Sequence, residues 1–449
     1  MREHWGSRLG FILAAIGSAI GLGVLWKFPY TVGANGGGLF LLTYIACIVV
    51  IGVPVLIGEL YLGRQSARAS VGAFAVLAKQ RPNWKVAGYF GAISSFLIMS
   101  YYSVIAGWGM SYVLMSLSGI YQQLSATEIS GVFTTLSQSG SISLFWHFLF
   151  TLITMGIVLS GVRKGIEFWS KIMTRSLFVI LLVLFGYSLT LEGFSTAVHF
   201  IFAFDLKSFT FSSALEALGL AFFTLSLGQG IMISYGSYMR REENIPQLAC
   251  IISFAVIVVA ILAALTIFPV IFTFGLTPHE GEGLIFKTLP LLFAKMPGSL
   301  ILSTIFFTLF VFTALTSSIP FIEVVATNLM ELRGYSRKRA TLSVAIATFI
   351  FGIPSAFAVP RTIFPNWDRV YGKTFLQTID GFTSVWLIPV GGLLTALFIG
   401  WVLRREETAA AFSATRKARV FYRIWYFFIK WLIPLTILAM IMQKSNLIG

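Results

Sequence analysis

Eleven apolar segments, each long enough to cross a hydrocarbon layer, divide this chain almost from end to end. They fall at about 9–32, 39–62, 87–119, 143–160, 167–190, 214–238, 247–275, 299–330, 341–358, 375–402 and 420–442. A bilayer core about 30 Å thick takes roughly 20 helical residues, and lipid offers no partner to a bare backbone amide or carbonyl. The spacing therefore predicts an all-α polytopic membrane protein with about 11 transmembrane helices, forming one transmembrane domain over 1–442. With 57% hydrophobic and 11% charged residues, composition excludes an ordinary soluble domain. The first apolar stretch already spans, so no removable signal peptide is expected.

A net charge of +15 would suggest nucleic acid in a soluble protein, but here the basic residues alternate from loop to loop. One set of termini and loops holds clusters such as Arg2/Arg8, Arg64/Arg68, Lys79/Arg81/Lys85, Arg240/Arg241 and Arg333/Arg337/Lys338/Arg339. The other holds only Lys207, Lys287, Lys295, Arg361, Arg369, Lys373 and Lys444. The positive-inside rule then puts the N-terminus in the cytoplasm and, after an odd number of crossings, the C-terminus outside. A plasma (inner) membrane location is expected, with membrane lipid as surroundings, no nucleic-acid partner, and a monomer or weak homodimer. Cys47 and Cys250 lie in apolar runs and suggest neither a disulfide framework nor a metal cluster.

Within the first segment, Gly17-Ser18-Ala19-Ile20-Gly21-Leu22-Gly23 places three glycines in seven residues. Glycine is about 1 kcal/mol worse than alanine in a helix, so the segment is expected to unwind there. Unwound backbone at mid-membrane is tolerable only around a protein-enclosed cavity holding something polar. Taken alone, glycines at this spacing equally serve close helix packing. A second interruption, Ser226-Leu227-Gly228-Gln229-Gly230, falls five segments later. Corresponding breaks in two halves point to an inverted repeat with a site between them. The halves are read as about 8–190 and 214–403, with a helix at 420–442 appended. The outer stretch 278–298, with Pro278, Gly281, Gly283, Pro290 and Pro297, is expected to form a re-entrant loop capable of acting as a lid.

Several runs together carry a family resemblance. Arg2-Glu3-His4-Trp5, Arg8-Leu9-Gly10, the glycine stretch, Phe28-Pro29, Asn35-Gly36-Gly37-Gly38 and Gly58-Glu59 resemble the opening of the neurotransmitter:sodium symporter family with the LeuT fold. The likeness continues through Tyr101-Tyr102, Phe222 to Gly228, Ser237-Tyr238 and Leu315-Thr316-Ser317-Ser318. It implies a 5+5 inverted repeat with helices 1 and 6 unwound, and sodium-coupled uptake of an amino acid or related small molecule by alternating access.

By the same resemblance, a substrate carboxylate would meet the amides of Leu22 and Gly23 and the hydroxyl of Tyr102, at a helix N-terminus whose dipole favours an anion. The amine would meet carbonyls of Ala19, Phe223 and Ser226, and the side chain would meet Ser18, Ile98, Phe223, Ser226, Gln229, Ser317 and Phe321. Thr224 is expected to belong to the same substrate-binding group. Gly21 stands where monoamine carriers of the family have an acidic residue, which favours a neutral L-amino acid. Gln229 replaces a commonly apolar residue; it either favours a polar or water-accompanied substrate side chain or bonds to neighbouring helices.

The family's helix 1/helix 8 sodium site maps onto carbonyls of Gly17, Ile20 and Thr313 and hydroxyls of Thr316 and Ser317. Neutral oxygens suit a singly charged hard cation. At the family's other sodium site, asparagines are replaced by Val24 and Val256, which cannot ligate. The neighbouring anion position is left with Leu220, Val256 and Ala260 beside Tyr44 and Thr224. One sodium ion and no chloride are therefore expected, a joint loss that conserves buried charge.

Lys27 and Asp380 are expected to close the outer side, and Arg2 with Glu331 near Tyr238 the inner side. A lysine in place of the family's arginine implies a looser outer gate. Glu323, inside the eighth segment, either titrates or anchors hydrogen bonds. An ion channel and a transport-inactive amino-acid sensor share these motifs and stand as alternatives. An enzyme is disfavoured, because no nucleophile–base set, metal cluster or nucleotide loop is evident.

Overall fold

The computed structural model describes residues 3–78, 81–204, 209–276, 283–409, 412 and 416–444. Arg2, Lys79, Lys207, Pro278 and Gly281 lie outside the described residues. Among those described, the regular elements are helices, apart from one isolated antiparallel bridge between Gly37 and Phe204.

In chain order the spans are α1 (Arg8–Ala19 and Gly23–Ala34), α2 (Gly38–Ser66), α3 (Pro82–Leu117), α4 (Gly140–Leu159), α5 (Val162–Ser188) and α6 (Phe211–Thr224 and Ile231–Gly236). They continue with α7 (Ile245–Thr273), α8 (Ser299–Arg333), α9 (Arg337–Ala356), α10 (Phe375–Val402) and α11 (Ala418–Lys444). Nine of these are continuous helices long and apolar enough to cross a membrane, and the two pieces of α1, bent by 44°, together make a tenth. The remaining expected segment is α6, which the structure splits into a 14-residue helix and a 6-residue one. The outer stretch is helical from Leu284 to Lys295, and Tyr112 of α3 holds it by donating to the Phe286 carbonyl at 2.6 Å.

Five of the prolines coincide with a local widening of a helix. Among the described residues, π-helical turns at Gly23–Lys27, Ile48–Gly52, Leu284–Thr288, Thr383–Leu387 and Phe428–Leu432 each end two residues before a proline: Pro29, Pro54, Pro290, Pro389 and Pro434. Proline removes an N–H and crowds the carbonyl four residues back, and one wider turn relieves both without ending the helix. Where a genuine break occurs, as in α1 and α6, glycine is present instead.

The breaks sit at the centre of the molecule, enclosed by α3 and α8. Ile98, Tyr101 and Tyr102 of α3 and Thr313 to Phe321 of α8 are all buried. Lipid-facing residues such as Leu42, Val179, Phe254 and Leu435 are exposed, as expected for apolar surface that meets hydrocarbon.

Candidate functional site

The first piece of α1 ends at Ala19, and Ile20 leaves the helical region with φ −87° and ψ 72°. Opposite it, Ser226 in α6 adopts a left-handed φ of 54°, a conformation costing about 1 kcal/mol or more for a non-glycine residue. The side chain holds it there: Ser226 Oγ donates to the Ser18 carbonyl at 3.1 Å and lies 3.2 Å from Ser18 Oγ. Gly228, at φ 70°, has no space for a side chain, since an added Cβ would stand 2.1 Å from the Ile388 carbonyl. Its amide donates to Glu59 Oε1 at 2.7 Å, so a fully buried carboxylate of α2 caps the break in α6.

The outer piece of α1 points its first amides into the same space. Leu22 N–H donates to the Tyr102 hydroxyl at 3.2 Å, leaving the hydroxyl proton to be donated elsewhere. Phe321 meets the Tyr102 ring edge-on at 5.6 Å. Gly21 lies against both Tyr102 and Ser317, with an added Cβ 3.3 Å from the one hydroxyl and 2.5 Å from the other. An added Cβ at Gly23 would meet Phe223 at 2.6 Å.

The structure thus brings Ser18, Leu22, Gly23, Tyr102, Phe223, Ser226, Ser317 and Phe321 around one point, with Ala19 and Ile98 buried alongside. Gln229 is 1% exposed, and neither Nε2 nor Oε1 has a hydrogen-bond partner, while its carbonyl accepts from Ser95 Oγ at 2.7 Å. Thr224 turns its hydroxyl to Tyr44 at 2.8 Å and so sits at the edge of this group.

A second cluster of oxygens joins α1 to α8. Ser317 Oγ donates to the carbonyls of Ser18 and Gly17 at 2.9 and 3.3 Å, and Thr316 Oγ1 donates to Thr313 at 3.0 Å. Thr316 and Thr174 of α5 press on Gly17, so this contact also needs a glycine. The donor set is carbonyls and hydroxyls alone, which fits a monovalent hard cation. Among the described residues no group of three or more His, Cys, Asp or Glu could hold a metal ion. Val24, Val256 and Ala260 are fully buried and Leu220 nearly so, giving the neighbouring region an apolar wall.

At one end of the broken helices, Lys27 Nζ reaches both Asp380 oxygens at 2.6 and 2.8 Å and Ser384 Oγ at 3.2 Å, and it lies 4.6 Å above the Phe223 ring. Tyr101 adds a hydrogen bond to Asp380 Oδ1 at 2.7 Å. The two side chains are 14% and 20% exposed, so charge attraction is screened less than at an open surface. Lysine therefore spans the carboxylate without a guanidinium fork, and the geometry is tighter than its substitution for arginine suggests. Above the pair is a cavity of about 200 Å³ lined by Tyr30, Glu216, Leu220 and Lys444 among others.

At the opposite end, Tyr238 and Glu331 both line a cavity of about 770 Å³. Glu331 Oε1 accepts from the Ala69 amide at 2.8 Å. Tyr238 donates to Glu323 at 2.6 Å, and Arg337 grips the same carboxylate at 2.8 and 3.1 Å, so Glu323 has the geometry of a hydrogen-bond anchor. An N-terminal strap closes beneath it. Trp5 donates from its indole to the Tyr235 carbonyl at 3.0 Å, and Glu167 of α5 accepts from Gly6 N–H at 2.6 Å and from Ser7 at 2.8 Å. Trp5, Glu59, Glu167 and Arg337 received no role from sequence. Their signal was charge or indole at a helix end or inside a span, which marks a residue without naming its partner.

Two helices broken at the centre of the molecule, with an ion pair on one side and a buried carboxylate network on the other, are the layout of a broken-helix secondary transporter. The model of the sodium:neurotransmitter symporter family matches residues 2–130 and 120–448, and the chain belongs to that family. It is 35% identical to the uncharacterized sodium-dependent transporter YhdH of Bacillus subtilis over 99% of this chain and 98% of that one. Similarity to the bovine sodium-dependent neutral amino acid transporter B(0)AT2 is 31% over 60% of this chain and 41% of that protein. The crystal structure of MhsT in complex with L-phenylalanine superposes with a TM-score of 0.90 at 36% identity, covering 98% of this chain and 99% of MhsT. The fold is therefore the LeuT fold.

Proposed function

We propose that this chain is a sodium-coupled symporter importing a neutral L-amino acid across the plasma membrane by alternating access, with the N-terminus cytoplasmic and the C-terminus outside. The halves at about 8–190 and 214–403 move around the broken helices, and 420–442 is appended. The observation that carries the reading is the Leu22 amide and Tyr102 hydroxyl, paired at the N-terminal end of the outer half-helix, where a carboxylate is favoured. Gly21 supports it from the other side, since no room exists there for an acidic side chain to hold a bare amine. Neutral amino acids named for B(0)AT2 and L-phenylalanine bound to MhsT agree with this substrate class. The unpartnered Gln229 amide selects for a side chain, or an accompanying water, that satisfies a donor and an acceptor.

Saturable uptake of labelled amino acids into proteoliposomes, with and without an inward sodium gradient, tests the proposal. Sodium-independent flux at all concentrations would point to a channel, and binding without flux to a sensor. Within that assay Tyr102→Phe is expected to weaken substrate binding by about 1–3 kcal/mol, the value of a hydrogen bond to a charged group. Unchanged affinity would remove Tyr102 from the site.

The proposed cation site lies between α1 and α8, on carbonyls of Gly17, Ile20 and Thr313 and hydroxyls of Thr316 and Ser317. Replacing both hydroxyl residues by alanine leaves backbone ligands alone. The sodium concentration for half-maximal uptake is expected to rise about tenfold or more in the double variant, on about 1 kcal/mol per lost ligand. A parent-like sodium response would displace the site.

A further inference from the structure

We propose that the cytoplasmic half of α5 carries a site for the phosphate of an anionic phospholipid, built on Arg175. The residue lies midway along the 27-residue span Val162–Ser188 and is exposed. Its exposed neighbours on the same stripe are Phe168, Ile172, Val179 and Leu182, between 41% and 61% exposed. Among the described residues, Arg175 makes no hydrogen bond or ion pair, whereas Lys171, one turn before it, is held by Glu167. An arginine is always charged, and a charge facing hydrocarbon without a partner is costly.

The depth is set by the neighbouring residue. Thr174 donates to the Leu13 carbonyl of α1 at 3.0 Å and lies 2.5 Å from where a Cβ on Gly17 would stand. Arg175 therefore leaves the helix level with the approach to the α1 break, away from both membrane surfaces. Helical side chains lean toward the N-terminus of their helix, here the cytoplasmic end in the proposed orientation. Six residues in that direction, about 9 Å along the axis, is Trp169, 42% exposed and of the type that marks the headgroup level. A long arginine stem covers most of that distance, and its planar fork takes two phosphate oxygens at once. A second copy of this chain is disfavoured as occupant, because two-fold packing through the stripe would bring Arg175 against its own copy in a low dielectric.

The test uses the purified full chain in phosphatidylcholine nanodiscs with and without phosphatidylglycerol, read by native mass spectrometry and by melting temperature. The parent is expected to retain one more phosphatidylglycerol than Arg175→Leu, and to bind it about fivefold more tightly. Phosphatidylglycerol should raise the melting temperature of the parent only. Arg175→Lys is expected to fall between them, since a point charge lacks the fork. If the leucine variant does not fold, Arg175→Gln serves in the same comparison. Equal phosphatidylglycerol retention by parent and variant overturns the proposal and leaves an acidic protein partner as the occupant to seek. Stabilisation of the parent by inorganic phosphate in pure phosphatidylcholine, to the same extent, overturns the lipid as the source of the phosphate.

Discussion

Gly21→Ala is expected to cut sodium-dependent uptake by about tenfold to a hundredfold, and Gly21→Asp to abolish it. A Cβ at this position would stand 2.5 Å from Ser317 Oγ, 3.1 Å from Ser317 Cβ and 3.3 Å from the Tyr102 hydroxyl. The hydroxyl of Ser317 can rotate away, but doing so breaks its bonds to the Ser18 and Gly17 carbonyls, and both the hydroxyl itself and the Gly17 carbonyl are assigned to sodium. Its Cβ cannot rotate, so α1 and α8 must also separate slightly, and overpacking of this kind costs ~1–3 kcal/mol. Aspartate adds a charge in a buried space, about 2.5 kcal/mol or more by insertion scales. One alanine thus disturbs the proposed substrate and cation positions together, and both affinities should fall. Gly186→Ala serves as control, since an added Cβ there meets nothing within 4 Å. The decisive measurement is uptake kinetics alongside the melting temperature of the purified variant. Parent-like substrate and sodium affinities in Gly21→Ala would show that the two sites do not share this contact.

Where the sequence was legible, the reason is local. Glycine density marked both breaks, because the cost of glycine in a helix needs no knowledge of neighbours. Apolar length marked the spans, and the Lys27–Asp380 contact followed from the family pattern. The residues that complete these features were hidden because their partners are distant in the chain. Tyr101, 279 residues from Asp380, completes that ion pair by donating to the carboxylate, and it does not differ in type from a packing residue. Glu59 was visible as a carboxylate in a span, but only the fold shows that it caps Gly228, 169 residues away. Glu323 left two readings open until α9 brought Arg337 onto it. Ser226 is the sharpest case. Its left-handed backbone is held by Ser18, a contact between two breaks that each look self-contained in sequence.

Reversal-potential measurements in proteoliposomes are expected to return one sodium ion per substrate, with no effect of replacing chloride by an impermeant anion. Val24 and Val256 offer no oxygen, both are fully buried, and Ala260 and Leu220 extend the apolar wall. The two hydroxyls that remain, Tyr44 and Thr224, bond to each other at 2.8 Å, so recruiting either for an ion sacrifices that bond. Losing a cation site alone would strand a neighbouring anion, and losing an anion site alone would strand a cation. Losing both leaves the buried charge balanced. At about 1.36 kcal/mol per decade, a tenfold sodium gradient supports roughly tenfold accumulation with one ion and roughly a hundredfold with two. For a zwitterionic substrate the membrane potential acts on one net charge, adding about 2.3 kcal/mol per 100 mV. Ser253 lies one turn from Val256, 2% exposed, with no hydrogen-bond partner for its hydroxyl, and is the residue best placed to restore an oxygen. Ser253→Ala should therefore leave the measured ratio at one. A ratio of two in the parent that falls to one in Ser253→Ala would mean that the second site has been rebuilt around serine, and a ratio of two in both would defeat the single-ion assignment outright.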